Sequence, residues 1–158
     1  MSKKSPTSKK SKHPAVAATR RYRVQEHVRW SDVDVSGIIF WGAYVRFVEF
    51  GETEFFRALG FPYATLWDQL DIWLPRVQVH FDYRSPARLD ELLDIEVWVG
   101  RIGRSSIRLE FAMRKPNGEL AAEAYLVMVA ISRTDSRPVE VPQRLLETLA
   151  PYRADAAS

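Results

Sequence analysis

The sequence predicts an α+β domain, in which one long helix covers a face of a mainly antiparallel sheet of about five strands. A chain of 158 residues with 46% apolar side chains suits a single core. One stretch has the apolar spacing of a long helix, and it lies between a first strand-like segment and four more strand-like runs in series. Because this order cannot supply a row of crossover helices, we expect the strands to pair mainly antiparallel.

The first strand is predicted in residues 22–30, where successive side chains alternate between two faces. One face carries Tyr22, Val24 and Glu26. A turn-like segment, residues 31–37, separates this strand from the long helix.

The long helix is predicted in residues 42–60, ending near Gly60 and stopped by Pro62. A glycine inside a helix costs about 1 kcal/mol relative to alanine, so Gly51 needs a packing reason, and close approach to the sheet is the natural one. The apolar residues at helical spacing are Tyr44, Phe47, Val48, Phe55 and Leu59.

The second half of the chain predicts four long strands after a linker at residues 61–71. Runs rich in β-branched and aromatic residues cover residues 72–83, 91–102, 105–115 and 119–132. Asn117 and Gly118 are suited to a tight hairpin between the last two runs. A short closing helix is predicted from Pro142.

The net charge of +3 is concentrated at the N-terminal end. Residues 1–21 hold seven Lys and Arg and no acid, which leaves the rest of the chain with 16 basic and 20 acidic residues. Because residues 1–20 are rich in Ser, Lys, Ala and Pro, we expect a disordered basic tail there rather than an arm that binds nucleic acid. The domain is then expected over residues 21–150, followed by a C-terminal tail over residues 151–158.

Several classes of site are excluded by what the sequence lacks. There is no cysteine for a disulfide or a thiolate nucleophile, and no apolar run approaches the roughly 18 residues of a membrane span. The first twenty residues lack the apolar stretch of a signal peptide, so a cytoplasmic protein is expected. His13, His27 and His80 do not have a metal-binding spacing, and the serine-hydrolase elbow and the glycine-rich nucleotide loops are missing. These absences favour an enzyme that uses neither metal nor cofactor.

Two ordered motifs give the chain its resemblance to a known family. The first, D-x-D-x-x-G followed by an apolar and aromatic run and a helix with an acidic residue, is formed by Asp32, Asp34, Gly37, Ile38, Ile39, Phe40, Tyr44 and Glu49. The second, Y-x-x-P-A-x-x-D-E/D-x-L-x-I, is matched by Tyr83, Pro86, Ala87, Asp90, Glu91, Leu93 and Ile95. From about residue 22 to residue 149, the chain resembles the hotdog-fold thioesterases of the 4-hydroxybenzoyl-CoA thioesterase and YbgC type.

This resemblance implies a hotdog fold, in which the sheet wraps around the long helix. It also implies association into a homodimer or homotetramer, with active sites at the subunit interface. The implied reaction is hydrolysis of an acyl-CoA to a free acid and CoA. The sequence leaves open the acyl group, and also whether CoA or an acyl carrier protein is the thiol carrier.

By its position in the first motif, Asp34 is the catalytic residue that the resemblance implies. It would attack the thioester to form a mixed anhydride, or act as a general base towards water, and both roles stay open. Backbone N–H groups of Trp41 and Gly42, at the start of the helix, would polarise the carbonyl. Without the resemblance, an aspartate before a helix is an ordinary turn or capping residue, and that is the leading interpretation for Asp32.

Five further residues are predicted to contact the substrate. Arg101 and Arg104 would bind the phosphates of CoA, since Arg can contact a phosphate with two hydrogen bonds. Gly37 suits either a positive φ or the close approach of a ligand. Phe40 would line an acyl pocket and Tyr44 matches the family motif, although core packing also explains aromatic residues at such positions.

Departures from the family pattern leave rival interpretations in place. Trp41 stands where relatives often carry Tyr or His, and Ala43 where they often carry Asn or Ser, so Trp41 is expected to narrow the pocket. A binding module for acyl-CoA or acyl carrier protein that has lost turnover is the main rival. A hotdog dehydratase is a weaker one, because His27 and His80 lack that family's motif context.

Overall fold

The computed structural model describes residues 19–154, so residues 1–18 of the predicted basic tail lie outside the described residues, as do residues 155–158. The helices in this part of the chain are α1 (Tyr44–Ala58), α2 (Tyr63–Leu70) and α3 (Gln143–Leu149). The strands are β1 (Tyr22–His27), β2 (Ile72–Trp73), β3 (Arg76–Tyr83), β4 (Leu92–Ile102), β5 (Ser106–Arg114), β6 (Leu120–Val129) and β7 (Ile131–Ser132).

Five strands form one sheet in the order β1-β4-β5-β6-β3, and every neighbouring pair is antiparallel. The predicted α+β class, with a mainly antiparallel sheet and one long helix, is confirmed. The hairpin between β5 and β6 is also confirmed, because Gly118 has a φ of +84° and the Glu119 N–H donates to Asn117 Oδ1 over 2.9 Å. The edges of the sheet are β1 and β3.

Helix α1 packs its apolar face against the sheet. Phe47, Phe55 and Phe56 are fully buried on this face. A Cβ atom added at Gly51 would lie 2.9 Å from Ile95 Cγ2 and 3.2 Å from a Val97 methyl carbon, which is closer than van der Waals packing allows. The predicted close contact between Gly51 and the sheet is therefore confirmed.

The predicted linker at residues 61–71 was wrong, since most of it forms α2. Helix α2 begins after Pro62 and buries Leu66 and Leu70, which are one helical turn apart. The predicted strands at residues 72–83 and 119–132 are each divided, because their outer residues pair as β2 and β7 in a separate two-stranded sheet. Pro75 lies at one of the breaks, where its missing N–H cannot join a ladder.

The ends of the described chain pack onto the domain. Arg21 pairs with Glu96 at 2.7 Å, and the ring of Tyr152 lies 4.9 Å from that of Phe55. The Ala154 N–H donates to the Val99 carbonyl over 2.8 Å, so packing continues past the predicted boundary at residue 150. None of the helices within residues 19–154 is long and apolar enough to cross a membrane.

Candidate active site

A small hairpin, residues 32–40, leads directly into the start of α1 and carries the first motif. We call it the acidic hairpin. Val33 and Ile39 face each other across it as a β-bridge, and the Phe40 N–H donates to the Asp32 carbonyl over 3.1 Å. At its tip the Gly37 N–H donates to the Asp34 carbonyl over 2.9 Å, and Gly37 has a φ of +74°, which favours glycine.

Asp34 is exposed, and its carboxylate is held by Ser36. Asp34 Oδ1 accepts hydrogen bonds from the Ser36 hydroxyl over 2.5 Å and from the Ser36 N–H over 2.8 Å. Such a turn is a common local structure for aspartate. The two hydrogen bonds from Ser36 hold the pKa of Asp34 below its ordinary value, so this carboxylate is ionised and accessible at neutral pH.

The start of α1 presents two N–H groups at the other end of the hairpin. Residues Trp41–Ala43 form a 3-10 turn that continues into α1. Within residues 19–154, the N–H groups of Trp41 and Gly42 have no hydrogen-bond acceptor, and the positive end of the helix dipole lies at the same place. The Trp41 carbonyl is instead fixed by Tyr83, whose hydroxyl donates to it over 3.1 Å. This arrangement can stabilise a negatively charged oxygen.

A cavity of about 290 Å³ lies beside these N–H groups. Tyr44 forms part of its wall, with its ring 5.2 Å from that of Tyr83, and burial raises the pKa of Tyr44 to about 12. Phe40 is partly exposed, and a Cβ added at Gly42 would lie 2.9 Å from its ring. The residues around the cavity are Ile38, Ile39, Trp41, Tyr44, Tyr83, Arg84, Ser85 and Pro86.

A second cavity, of about 410 Å³, lies one turn further along α1. Its polar end is a cluster in which buried Glu52 accepts hydrogen bonds from the Tyr63 hydroxyl and from Arg76. Burial raises the pKa of Tyr63 and lowers that of Arg76. The remaining lining residues are Val45, Val48, Glu49, Trp67, Val79 and Leu126. Sequence reasoning missed Tyr63 and Trp67, although their i, i+4 spacing was a helical signal.

One chain does not bring all the predicted site residues together. The Asp34 carboxylate is hydrogen-bonded to Ser36 at the hairpin tip. Among the described residues it makes no hydrogen bond to Trp41 or Gly42. The hairpin contacts residues 87–89, just before β4, whereas Arg101 lies nine residues along β4 from its first residue Leu92, so about 30 Å separates the two ends of this strand. Arg104 follows the same far end and pairs with exposed Glu140 at 3.2 Å.

Arg88 is a cation near the acidic hairpin that sequence reasoning missed. It forms a β-bridge with Ile38, and its side chain has no ion-pair partner within residues 19–154. The second motif allows any residue at this position, so the motif did not indicate Arg88. The available signal was a basic residue next to Ala87 of the motif. No group of three His, Asp or Glu side chains in the described chain could hold a metal ion.

Comparison with known proteins gives a family and a fold. The model of the thioesterase-like superfamily matches residues 28–149. The chain is 28% identical over 130 residues to the acyl-CoA thioester hydrolase YbgC of Escherichia coli O6:H1, and the alignment covers 81% of this chain and 95% of that protein.

Solved structures show the same architecture. A 1,4-dihydroxy-2-naphthoyl-CoA thioesterase from Synechocystis has a TM-score of 0.76 at 14% identity, over 83% of this chain and 96% of its own. A second structure is an aspartate-to-asparagine mutant of 4-hydroxybenzoyl-CoA thioesterase in complex with 4-hydroxybenzoyl-CoA. It has a TM-score of 0.74 at 22% identity, and the match covers 82% of this chain and 99% of that chain. These likenesses confirm the predicted hotdog fold.

Proposed function

Because this chain belongs to the thioesterase-like superfamily, we propose that it is an acyl-CoA thioesterase that releases a free acid and CoA. One observation carries the proposal. An exposed, ionised Asp34 lies on a hairpin that leads directly into a helix start with two N–H groups lacking an acceptor in the described chain, beside an apolar cavity. A nucleophile or base, an oxyanion site and an acyl pocket are the parts that thioester hydrolysis needs.

In the proposed reaction the thioester carbonyl oxygen is bound by the N–H groups of Trp41 and Gly42. Each such donor contributes about 10²–10³ in rate in well-studied hydrolases. Asp34 either attacks the carbonyl carbon, so that CoA leaves and water hydrolyses the mixed anhydride, or accepts a proton from an attacking water. The low pKa of Asp34 keeps it ionised for either role.

We place the complete site between two subunits. Strand β3 has an exposed outer edge, with Val77 and Val79 at 60% and 47% exposure. Two-fold antiparallel pairing of this edge with its copy would put the start of one β3 beside the end of the other. The unpaired edge and its exposed valines support a homodimer, and a homotetramer would combine two such pairs.

This pairing also gives Arg101 and Arg104 a role in the proposed site. Both lie at the end of the sheet where β3 starts, since the Val129 N–H beside their turn donates to the Pro75 carbonyl. Their copies in the partner subunit would lie three to four strands across from the Tyr83 end of the first subunit, at about 15–20 Å. That separation suits the phosphates of a CoA whose thioester lies at Trp41.

The acyl group would occupy the cavities along α1. The valines and Leu126 of the second cavity suit apolar carbon, whereas the charge of Glu49 disfavours an anionic end. Glu52 and Arg76 already neutralise each other. The same reaction is available to an acyl group on a carrier protein, because both carriers end in a thiol.

A thiol-release screen of the full chain with benzoyl, short, medium and long acyl-CoAs tests the proposal. We expect release of CoA from at least one class, together with saturable binding in calorimetry. Binding without release from any member would instead support a non-catalytic acyl-CoA binding module. Absence of both binding and release would reject the proposed function.

The two roles of Asp34 are separated by acid quench of a single turnover, followed by mass spectrometry of the peptide that contains Asp34. An acylated peptide identifies the mixed anhydride and a nucleophilic Asp34. Formation of free acid at the rate of thiol release, with no acylated peptide at any time, identifies the general base.

A further inference from the structure

We propose that Asp32 and Arg46 are a positioning pair for the reaction, and that the link between them sets the acidic hairpin against the start of α1. This inference rests on the proposed function, because its effect is on Asp34 and on the N–H groups of Trp41 and Gly42. Neither member of the pair has to touch the substrate.

The pair forms a buried, bidentate salt bridge. Asp32 is only 2% exposed. Its Oδ1 accepts from Arg46 Nε over 2.7 Å and its Oδ2 accepts from Arg46 Nη2 over 2.5 Å, while the Arg29 N–H also donates to Oδ2 over 2.8 Å. Arg46 further donates to the His27 carbonyl over 3.1 Å. The planar guanidinium thus meets both carboxylate oxygens, which a lysine cannot reproduce.

The position of the pair gives it more than a stabilising role. Asp32 is the first residue of the acidic hairpin, two residues before Asp34, and its carbonyl accepts the Phe40 N–H one residue before Trp41. Arg46 is the third residue of α1. A single side-chain contact therefore connects the stem of the hairpin with the turn of helix that presents the N–H groups.

Other contacts hold the hairpin from a different side. The Ile39 N–H donates to the Ala87 carbonyl over 2.9 Å, and the Leu89 N–H donates to the Gly37 carbonyl over 3.2 Å. These bonds tie the hairpin to the segment before β4, whereas the Asp32–Arg46 contact is the side-chain link from its stem to α1. We therefore expect loss of that contact to leave the hairpin formed but displaced relative to the helix.

The electrostatics of Asp32 agree with a permanently formed pair. Burial opposes ionisation of Asp32, but the hydrogen bonds from Arg46 and from the Arg29 N–H outweigh it and hold its pKa below the ordinary value. Glu26 adds a second acid, 3.4 Å from Arg46. The pair is consequently charged at neutral pH.

Two conservative variants test the positioning role. Arg46→Lys keeps the charge and loses the two-pronged geometry, whereas Asp32→Asn keeps the shape and weakens the contact. Arg57→Lys is the matched control, because Arg57 lies on the same helix and pairs with Glu54 at the surface. We would measure kcat and KM for the best acyl-CoA substrate of the wild type, together with circular dichroism and oligomeric mass.

A positioning role for Asp32 and Arg46 predicts that the variants lose kcat while KM changes little. We expect kcat to fall by about 10- to 100-fold in both variants, since small displacements of reacting groups cost that much. KM should stay within about threefold, fold and mass should be unchanged, and Arg57→Lys should keep wild-type kcat. A folded variant with kcat within twofold of the wild type overturns the inference. Failure of both variants to fold overturns it too, since the pair would then serve stability. An inactive wild type would instead reject the proposed function.

Discussion

At the scale of single residues, the state of Asp34 depends on Ser36. Both hydrogen bonds to Asp34 Oδ1 come from this one serine, and each favours the ionised carboxylate. Neither proposed role for Asp34 works once it is protonated. Ser36 therefore extends the proposed activity to lower pH than an unassisted aspartate would allow.

Replacing Ser36 by alanine should raise the pKa of Asp34, because the hydroxyl donor is the main cause of its lowered value. Since activity is lost as pH falls through that pKa, the acid limb of the kcat/KM profile should move to higher pH, with little change at pH 8. The pH–rate profile of Ser36→Ala measures this. Ser31→Ala, an exposed serine before the hairpin, should leave the limb in place. An acid limb that is unchanged or moves to lower pH in Ser36→Ala would contradict this role.

At the scale of elements, α1 depends on the absence of a side chain at Gly51. The helix crosses β4 so closely that an added Cβ would overlap Ile95. This approach buries the large aromatic residues of α1 and fixes where its N-terminal end lies over the sheet. The placement of the proposed oxyanion site thus depends on a contact two turns away.

Gly51→Ala should destabilise the protein despite the higher helix propensity of alanine. Propensity favours alanine by about 1 kcal/mol, whereas overpacking a core costs about 1–3 kcal/mol. We expect a net loss of about 1 kcal/mol in the free energy of unfolding, measured with denaturant. The double variant Gly51→Ala with Ile95→Ala should lose less than the sum of the single variants. A Gly51→Ala protein more stable than the wild type would show that the contact between Gly51 and β4 leaves room for a methyl group.

The elements also show what sequence patterns can and cannot predict. Helix α1, the strands and the Asn117–Gly118 hairpin were predictable, because their signals are periodic or local. Helix α2 was missed although Tyr63 and Trp67 have helical spacing, since eight residues form a marginal helix alone and this one is stabilised by tertiary contacts such as that of Tyr63 with Glu52. The motifs indicated Asp34 and the N–H groups, but Asp32 and Arg46 pair across 14 residues of chain, which no local pattern reveals.

At the scale of the whole molecule, the exposed edge of β3 sets the expected assembly. An open edge strand with exposed valines is an aggregation hazard unless it is paired. Pairing with a second copy removes the hazard, and in the proposed site it also supplies Arg101 and Arg104 from the partner subunit. Assembly and activity should therefore be lost together.

Val77→Lys should prevent the pairing, since an edge lysine opposes strand addition. Light scattering should give about twice 18.2 kDa or a higher multiple for the wild type and a lower mass for the variant. Thiol release should fall with the mass. The control variant Gln25→Lys, on the opposite edge strand β1, should keep the wild-type mass and the wild-type rate of thiol release. A wild-type monomer, or an active monomeric variant, would contradict a site between subunits.

If Asp34 carries out the chemistry, replacing its carboxylate by an amide should remove most of the activity, and thiol release by Asp34→Asn across the acyl-CoA panel measures this. Asp68→Asn is the matched control, since Asp68 lies at the surface and pairs with Arg133. We expect Asp34→Asn to keep the fold, the mass and acyl-CoA binding while kcat falls by about 10²–10⁴-fold, with Asp68→Asn unchanged. Turnover by a folded Asp34→Asn protein within a few-fold of the wild type would exclude Asp34 as the nucleophile or general base.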